Sequence, residues 1–190
     1  MTTTIVDKLY DEFRSIVLAL GDAEISLRNT AEDNFRKVLL ISAASYFERR
    51  LKEDLINLIS HCSRKSVLVM EFTRNKAIDR QYHSFFNWDA SNANQFFGLF
   101  GSGFQQYVKA AVRSDAKLST SIVAFLELGG DRNSLVHQDF GAFVLEKTSE
   151  EIFKRYQEAT YFLDTLPCHL IAYHDLTQHC DFDSSDEHLA

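Results

Sequence analysis

TAEDNFRKVLLISAASYFERRLKEDLINLISH (residues 30–61) carries its large apolar residues in threes and fours, at Leu40, Ala44, Phe47, Leu51, Leu55 and Leu58. That repeat lines one face of an α-helix and does not fit a strand, whose side chains alternate. Thr30 stands three residues before Asp33, a hydroxyl cap followed by an acid, so the spacing predicts a helix starting there and running to about His61. A helix with one long apolar face needs partner helices to cover it.

The flanks supply them. Ile5, Leu9, Phe13, Ile16 and Leu20 form the apolar face of a first helix, which Gly21 and Asp22 are expected to stop. VLVMEF (residues 67–72) fits a short strand or the start of a helix, and its neighbours favour the helix. FFNWDASNANQFFGLFGSGF (residues 85–104) mixes aromatics with turn residues, which predicts a packed irregular segment with a short helix around Asn94–Phe100 that closes the core. Phe104–Val112 is weakly helical. A clearer helix resumes near Leu118 with Ile122, Phe125 and Leu126 and leads through Gly129-Gly130. The last helix opens at the capping box Thr148-Ser-Glu-Glu151 and continues through Ile152, Tyr156, Ala159, Phe162, Leu163 and Leu166, with Pro167 expected to kink it. One proline and seven glycines in 190 residues leave long stretches unpunctuated, as helices require. The expected fold is therefore all-α, a single domain over residues 1–180 with an acidic, disordered tail at 181–190.

Composition narrows the function classes. Hydrophobic content of 45% with 25% charged residues belongs to a globular chain that can bury a core, not to a disordered one. Cys62, Cys168 and Cys180 are too few and scattered for a disulfide framework, which favours a reducing compartment. MTTTIVDKLYDEF lacks a basic run before an apolar stretch, and no apolar run approaches bilayer length, so a cytoplasmic protein without membrane association is expected. The net charge of −7 argues against sequence-blind nucleic-acid binding through the overall field. Part of that charge lies in the tail, at Asp181, Asp183, Asp186 and Glu187, so the body is mildly acidic and able to hold a local basic cleft.

The search for chemistry leaves few candidates. Cys168, His169, His174, His179 and Cys180 look like a metal cluster, but histidines five apart on a helix point about 140° away from each other and cannot converge. Zinc-binding helices usually place ligands four apart. His61 and Cys62 read as ordinary helix-end and core residues, so no metal or other cofactor is expected. No glycine-rich phosphate loop, GxSxG elbow or HExxH motif is present. The basic groups Arg49-Arg50-Lys52, Arg74-Lys76-Arg80 and Lys109-Arg113-Lys117 are interleaved with acids or apolar residues and read as solvated faces. There remains DRNSLVHQDF (residues 131–140), where the penultimate helix ends. A cation near a helix C-terminus would explain His137 through the helix dipole, but not the Arg132-Asn133 pair. If the helix persists to His137, Asn133 and His137 are i, i+4 neighbours, so Asn133 can orient the imidazole with Arg132 beside it. Gly129-Gly130 predicts either a break or the close approach of another backbone. Asp131 is expected to cap a restarted turn or to pair with an arginine of a neighbouring chain.

RNSLVH, with helices on both sides, resembles the Arg-polar-xxx-His signature of HEPN domains (higher eukaryotes and prokaryotes nucleotide-binding). ASYFERRL (residues 44–51), QYHSFFNWDASNANQFFGLFG (residues 81–101) and RNSLVHQDF followed by a capped helix are similar to the RiboL-PSP group of HEPN proteins, over about residues 30–170. The resemblance implies a bundle of four or five helices, a homodimer, and a metal-independent endoribonuclease serving as a toxin or an abortive-infection effector against phage. Carried onto this chain, the catalytic pair is Arg132 and His137, with Asn133 in support.

The residue types suit that chemistry. RNA brings its own nucleophile, the 2′-hydroxyl, so no metal-bound water is needed. A histidine can take that proton or protonate the leaving 5′-oxygen, and a guanidinium can grip the non-bridging phosphate oxygens as charge builds. The alternative reading is a non-catalytic HEPN helical dimer binding RNA, a nucleotide or a protein partner. A neutralising antitoxin or a defence-system protein is a further expected partner.

Overall fold

The computed structural model describes residues 3–20 and 25–183, the side chains of residues 179–183 excepted. Eight α-helices run in the order α1 (Ile5–Leu20), α2 (Ile25–Cys62), α3 (Val67–Thr73), α4 (Tyr82–Phe85), α5 (Asn94–Gly98), α6 (Ser102–Ser114), α7 (Ala116–His137) and α8 (Ser149–Asp183), with a π-helical turn at Arg74–Ile78. No strand occurs among the described residues. The all-α expectation holds. Gly21 and Asp22, read as the stop of α1, and the tail from Ser184 onward lie outside the described residues.

Cross-helix contacts fix the bundle's directions. Arg36 Nη1 donates to the Leu145 carbonyl at 2.9 Å, and Arg50 Nη1 meets Asp164 at 2.9 Å, so α2 and α8 ascend together. Against them α7 descends, with Glu127 3.0 Å from Arg155 and Asp131 2.7 Å from Lys147. The α1 helix is antiparallel to α8: Thr4 Oγ1 lies 2.6 Å from the Tyr156 hydroxyl, and Tyr10 stacks on Phe153 at 3.9 Å. At the centre Phe47 of α2 meets Phe125 of α7 and Tyr156 of α8 at 5.7 and 5.3 Å, ring geometries that add to simple area burial.

Local signals were realised unevenly. The Thr148–Glu151 capping box forms, with the Thr148 amide donating to Glu151 Oε2 at 2.8 Å and the Glu151 amide donating to Thr148 Oγ1 at 3.2 Å. The α8 helix carries on through Pro167. Thr30, by contrast, does not cap α2. The helix already exists at Ile25, and the Thr30 hydroxyl donates back to the Ser26 carbonyl at 3.0 Å. In α1 the buried face is Val6, Tyr10 and Phe13, one position round from the expected one, and Ile5 and Ile16 stay exposed. Adjacent apolar pairs made both faces available, and contact with α2 and α8 chose between them.

The Gly129-Gly130 pair does not break α7. The helix is continuous to His137, and the close approach comes from Trp88 of the same chain. A Cβ on Gly129 would run into the indole ring, whereas one on Gly130 would meet only the Trp88 carbonyl, at 3.4 Å. The indole also donates to the His83 carbonyl at 3.1 Å and tilts against Phe125 at 5.9 Å. The aromatic segment thus closes the core, as expected, and does so by lying against the motif helix. Gly129→Ala is predicted to destabilise the protein by about 1–3 kcal/mol through overpacking, while Gly130→Ala is neutral or stabilises by up to about 1 kcal/mol through helix propensity. Chemical denaturation of the two variants checks this, and equal effects would remove the indole from the account.

A second prediction concerns the α2–α8 contact. Burial pushes the Asp54 carboxyl from 3.8 up to about 6, against the lowering pull of Arg50 and with Glu53 and Asp164 adding to the rise. A folded-state value above the unfolded one means that the folded chain holds this proton more tightly. The contribution to stability is therefore full below about pH 4 and lost as pH rises through about 6. Asp54→Asn should raise the melting temperature at about pH 8 and leave it nearly unchanged at about pH 4. A variant less stable at the higher pH would show that the contact with Arg50 outweighs the burial of the charge.

Candidate active site at the end of the motif helix

The α7 helix starts at a firm cap, Asp115, whose Oδ1 accepts from the Lys117 and Leu118 amides at 2.8 and 3.1 Å. It ends at His137, where Gln138 turns extended. Only Leu135 of the motif is buried, and it anchors that last turn in the core. Arg132 and Asn133 are half-buried, and His137 is exposed.

Arg132 Nη1 donates to Asn133 Oδ1 at 3.1 Å. The asparagine thus steadies the guanidinium. Among the described residues no hydrogen bond joins it to His137, so the i, i+4 contact expected from spacing is not the one observed. Among the described residues Asp131 caps no amide; it pairs within its own chain, accepting from Lys147 Nζ at 2.7 Å. Arg132 has no ion-pair partner among the described residues. On a continuous helix Arg132 and His137 are five positions apart, about 140° round and roughly 7.5 Å along the axis.

The neighbourhood of Arg132 comes from the stretches ASYFERRL and QYHSFFNW. Burial pushes the Tyr82 hydroxyl far above the usual phenol range and Glu48 adds to this, while the nearby Arg132 charge pulls the other way. Glu48 is itself met by Lys52 Nζ at 2.7 Å, and that ammonium lies 5.9 Å from the Tyr82 ring centre. ASYFERRL, QYHSFFNW and RNSLVH therefore meet in space. The basic group Arg49-Arg50-Lys52 is matched to acids: Arg49 to Glu53, Arg50 to Asp164 and Lys52 to Glu48.

The loop after His137 is held from α2. Lys37 is only 2% exposed, its Nζ donates to the Phe140 carbonyl at 3.1 Å, and it lies 3.4 Å from Asp33 Oδ2. Asp33 also binds Arg36 at 2.6 Å, and Arg36 holds the Leu145 carbonyl. A buried ammonium is expensive unless it is paired and hydrogen-bonded, and here that requirement fixes where the chain passes after the motif. Sequence reading missed Lys37, because a lysine between Arg36 and Val38 on an amphipathic helix reads as surface.

Of the C-terminal cysteine and histidine series, the His179 and Cys180 side chains lie outside the described residues, and Cys168 is exposed. Cys62 is exposed as well, not a core residue. Across helices, however, His61, His174 and Asp175 come together, a set of metal-ligating types that no spacing within one helix revealed.

Comparison with known proteins agrees with the all-α fold. The RiboL-PSP-HEPN family matches over residues 6–172, nearly the whole helical domain and the motif with it. No curated protein and no solved structure is significantly similar to the chain. No described helix is long and apolar enough to cross a membrane. With the family match spanning all the long helices, the chain belongs to the RiboL-PSP-HEPN family.

Proposed function

We propose that the protein is a metal-independent endoribonuclease that cuts RNA through Arg132 and His137. One observation carries the reading: Arg132 is braced by Asn133 and has no carboxylate partner among the described residues, five positions before an exposed histidine at the helix end. A half-buried guanidinium without a counter-ion is matched to an anion from outside, and a phosphodiester offers the forked oxygens it binds best.

In this reading the guanidinium holds the non-bridging oxygens while His137 takes the proton of the 2′-hydroxyl. The 2′-oxygen attacks phosphorus, the bond to the 5′-oxygen breaks, and an imidazolium protonates that leaving oxygen. The products are a 2′,3′-cyclic phosphate and a 5′-hydroxyl. A base and an acid are needed in the same step, and one chain brings one motif histidine. Two motifs facing each other across a two-fold axis supply both, together with two arginines. The angular separation of Arg132 and His137 on one helix favours the same arrangement, with residues of both copies converging on one phosphate. Pooling these groups builds a local positive site on an otherwise acidic protein. The biological role that fits is that of a cytoplasmic toxin or phage-defence effector, held in check by an antitoxin or another protein of its system.

The test is cleavage of RNA by the purified homodimer and by His137→Ala and Arg132→Ala. Each substitution should lower the rate by a factor on the order of 10²–10⁴ while leaving helical content and melting temperature nearly unchanged. Cleavage should persist after chelation and leave cyclic phosphate ends. Full activity in both variants, or loss of cleavage with chelator, would overturn the assignment. RNA that is bound but not cut by the wild type would favour the non-catalytic binding dimer.

A further inference from the structure

The far end of the bundle carries a second group of chemically able side chains. His61, in the last turn of α2, and His174 and Asp175 on α8 place one nitrogen or oxygen atom each within 4.8 Å of one another. The two imidazoles meet edge to face, with ring centres 5.6 Å apart and planes at 80°. His61 and Asp175 are exposed and His174 is half-buried, so an ion from solvent can reach them. Among the described residues none of the three side chains has a hydrogen bond or an ion pair. Two imidazoles and a carboxylate meet where two helices touch, and no group among the described residues uses their lone pairs.

We propose that His61, His174 and Asp175 bind a divalent cation of the zinc class. Two nitrogens and one carboxylate oxygen are a common three-residue set for zinc, with water completing the tetrahedron, and imidazole ligands disfavour magnesium and calcium. Separations within 4.8 Å are within reach of the tetrahedral arrangement set by zinc bond lengths of about 2.0–2.2 Å. The backbone presenting His61 is well defined: the Lys65 amide donates to the Ser60 carbonyl at 2.8 Å, and Arg64 and Lys65 both adopt left-handed φ, 51° and 61°.

The site is remote from the motif. Lys147, which pairs with Asp131, lies just before α8, and the stretch of that helix from Ser149 to His174 separates the two ends by roughly 38 Å. A cation there takes no part in RNA chemistry. It clips the end of α8 to the end of α2, and because it binds the folded chain it stabilises that state.

The experiment is calorimetric titration of zinc ion into the tag-free, chelator-stripped full chain, with a parallel thermal melt. One ion per chain should bind at micromolar concentration and raise the melting temperature. His61→Ala and His174→Ala should each weaken binding by more than about tenfold and abolish the thermal shift. Their circular dichroism and melting without metal should match the wild type. Magnesium should do neither. Zinc that binds both variants as tightly as the wild type, or no stoichiometric binding at all, would overturn the site; neither result bears on Arg132 or His137.

Discussion

The packing of the motif helix depends on a missing side chain. Because Gly129 has no Cβ, the Trp88 indole lies directly against α7, and the aromatic segment between α4 and α5 becomes the cover of the helix that ends in the motif. Two adjacent glycines inside a helix cost about 1 kcal/mol each relative to alanine. Burial of an indole against Phe86, Phe125 and Tyr82 offsets that cost. The same contact brings Tyr82 and its neighbour Glu48 to the Arg132 side of α7.

Charge pairing then determines which groups stay available. Asp131 is taken by Lys147, Glu127 by Arg155 and Glu48 by Lys52. Lys37 and Arg36, tied to Asp33, hold the carbonyls of the loop beyond His137. Glu127 and Asp131, the two acids that precede Arg132 on α7, are thus satisfied elsewhere, and Arg132 is steadied by a neutral amide oxygen. The net charge of −7 is a poor guide to such a site, because the pairing is local and the excess sits partly in the tail.

Much of this was legible in the chain before any coordinates. The threes and fours of α2, the Thr148–Glu151 capping box and the helix ending at His137 follow from rules that act within a few residues, and they held. What escaped was chosen by distant parts of the chain. The face of α1 could not be read because Ile5 precedes Val6 and Leu9 precedes Tyr10, so one rotation of the helix exchanges two equally apolar stripes. The Gly129-Gly130 pair announced a close approach without saying that a tryptophan from the preceding segment would make it. Likewise His61 and His174 belong to two helices, and spacing within either could only argue against a shared ion.

The proposed active site is one cleft built from two copies of Arg132 and His137. The most direct measurement mixes wild type with an equal amount of His137→Ala, allows the subunits to exchange, and records the RNA cleavage rate per chain. If both histidines are needed, only the wild-type homodimers work and the rate falls to about one quarter of the pure wild type. A rate of about one half would mean that each chain cuts on its own, contradicting the shared cleft. Undiminished cleavage by pure His137→Ala would contradict the assignment of the site itself.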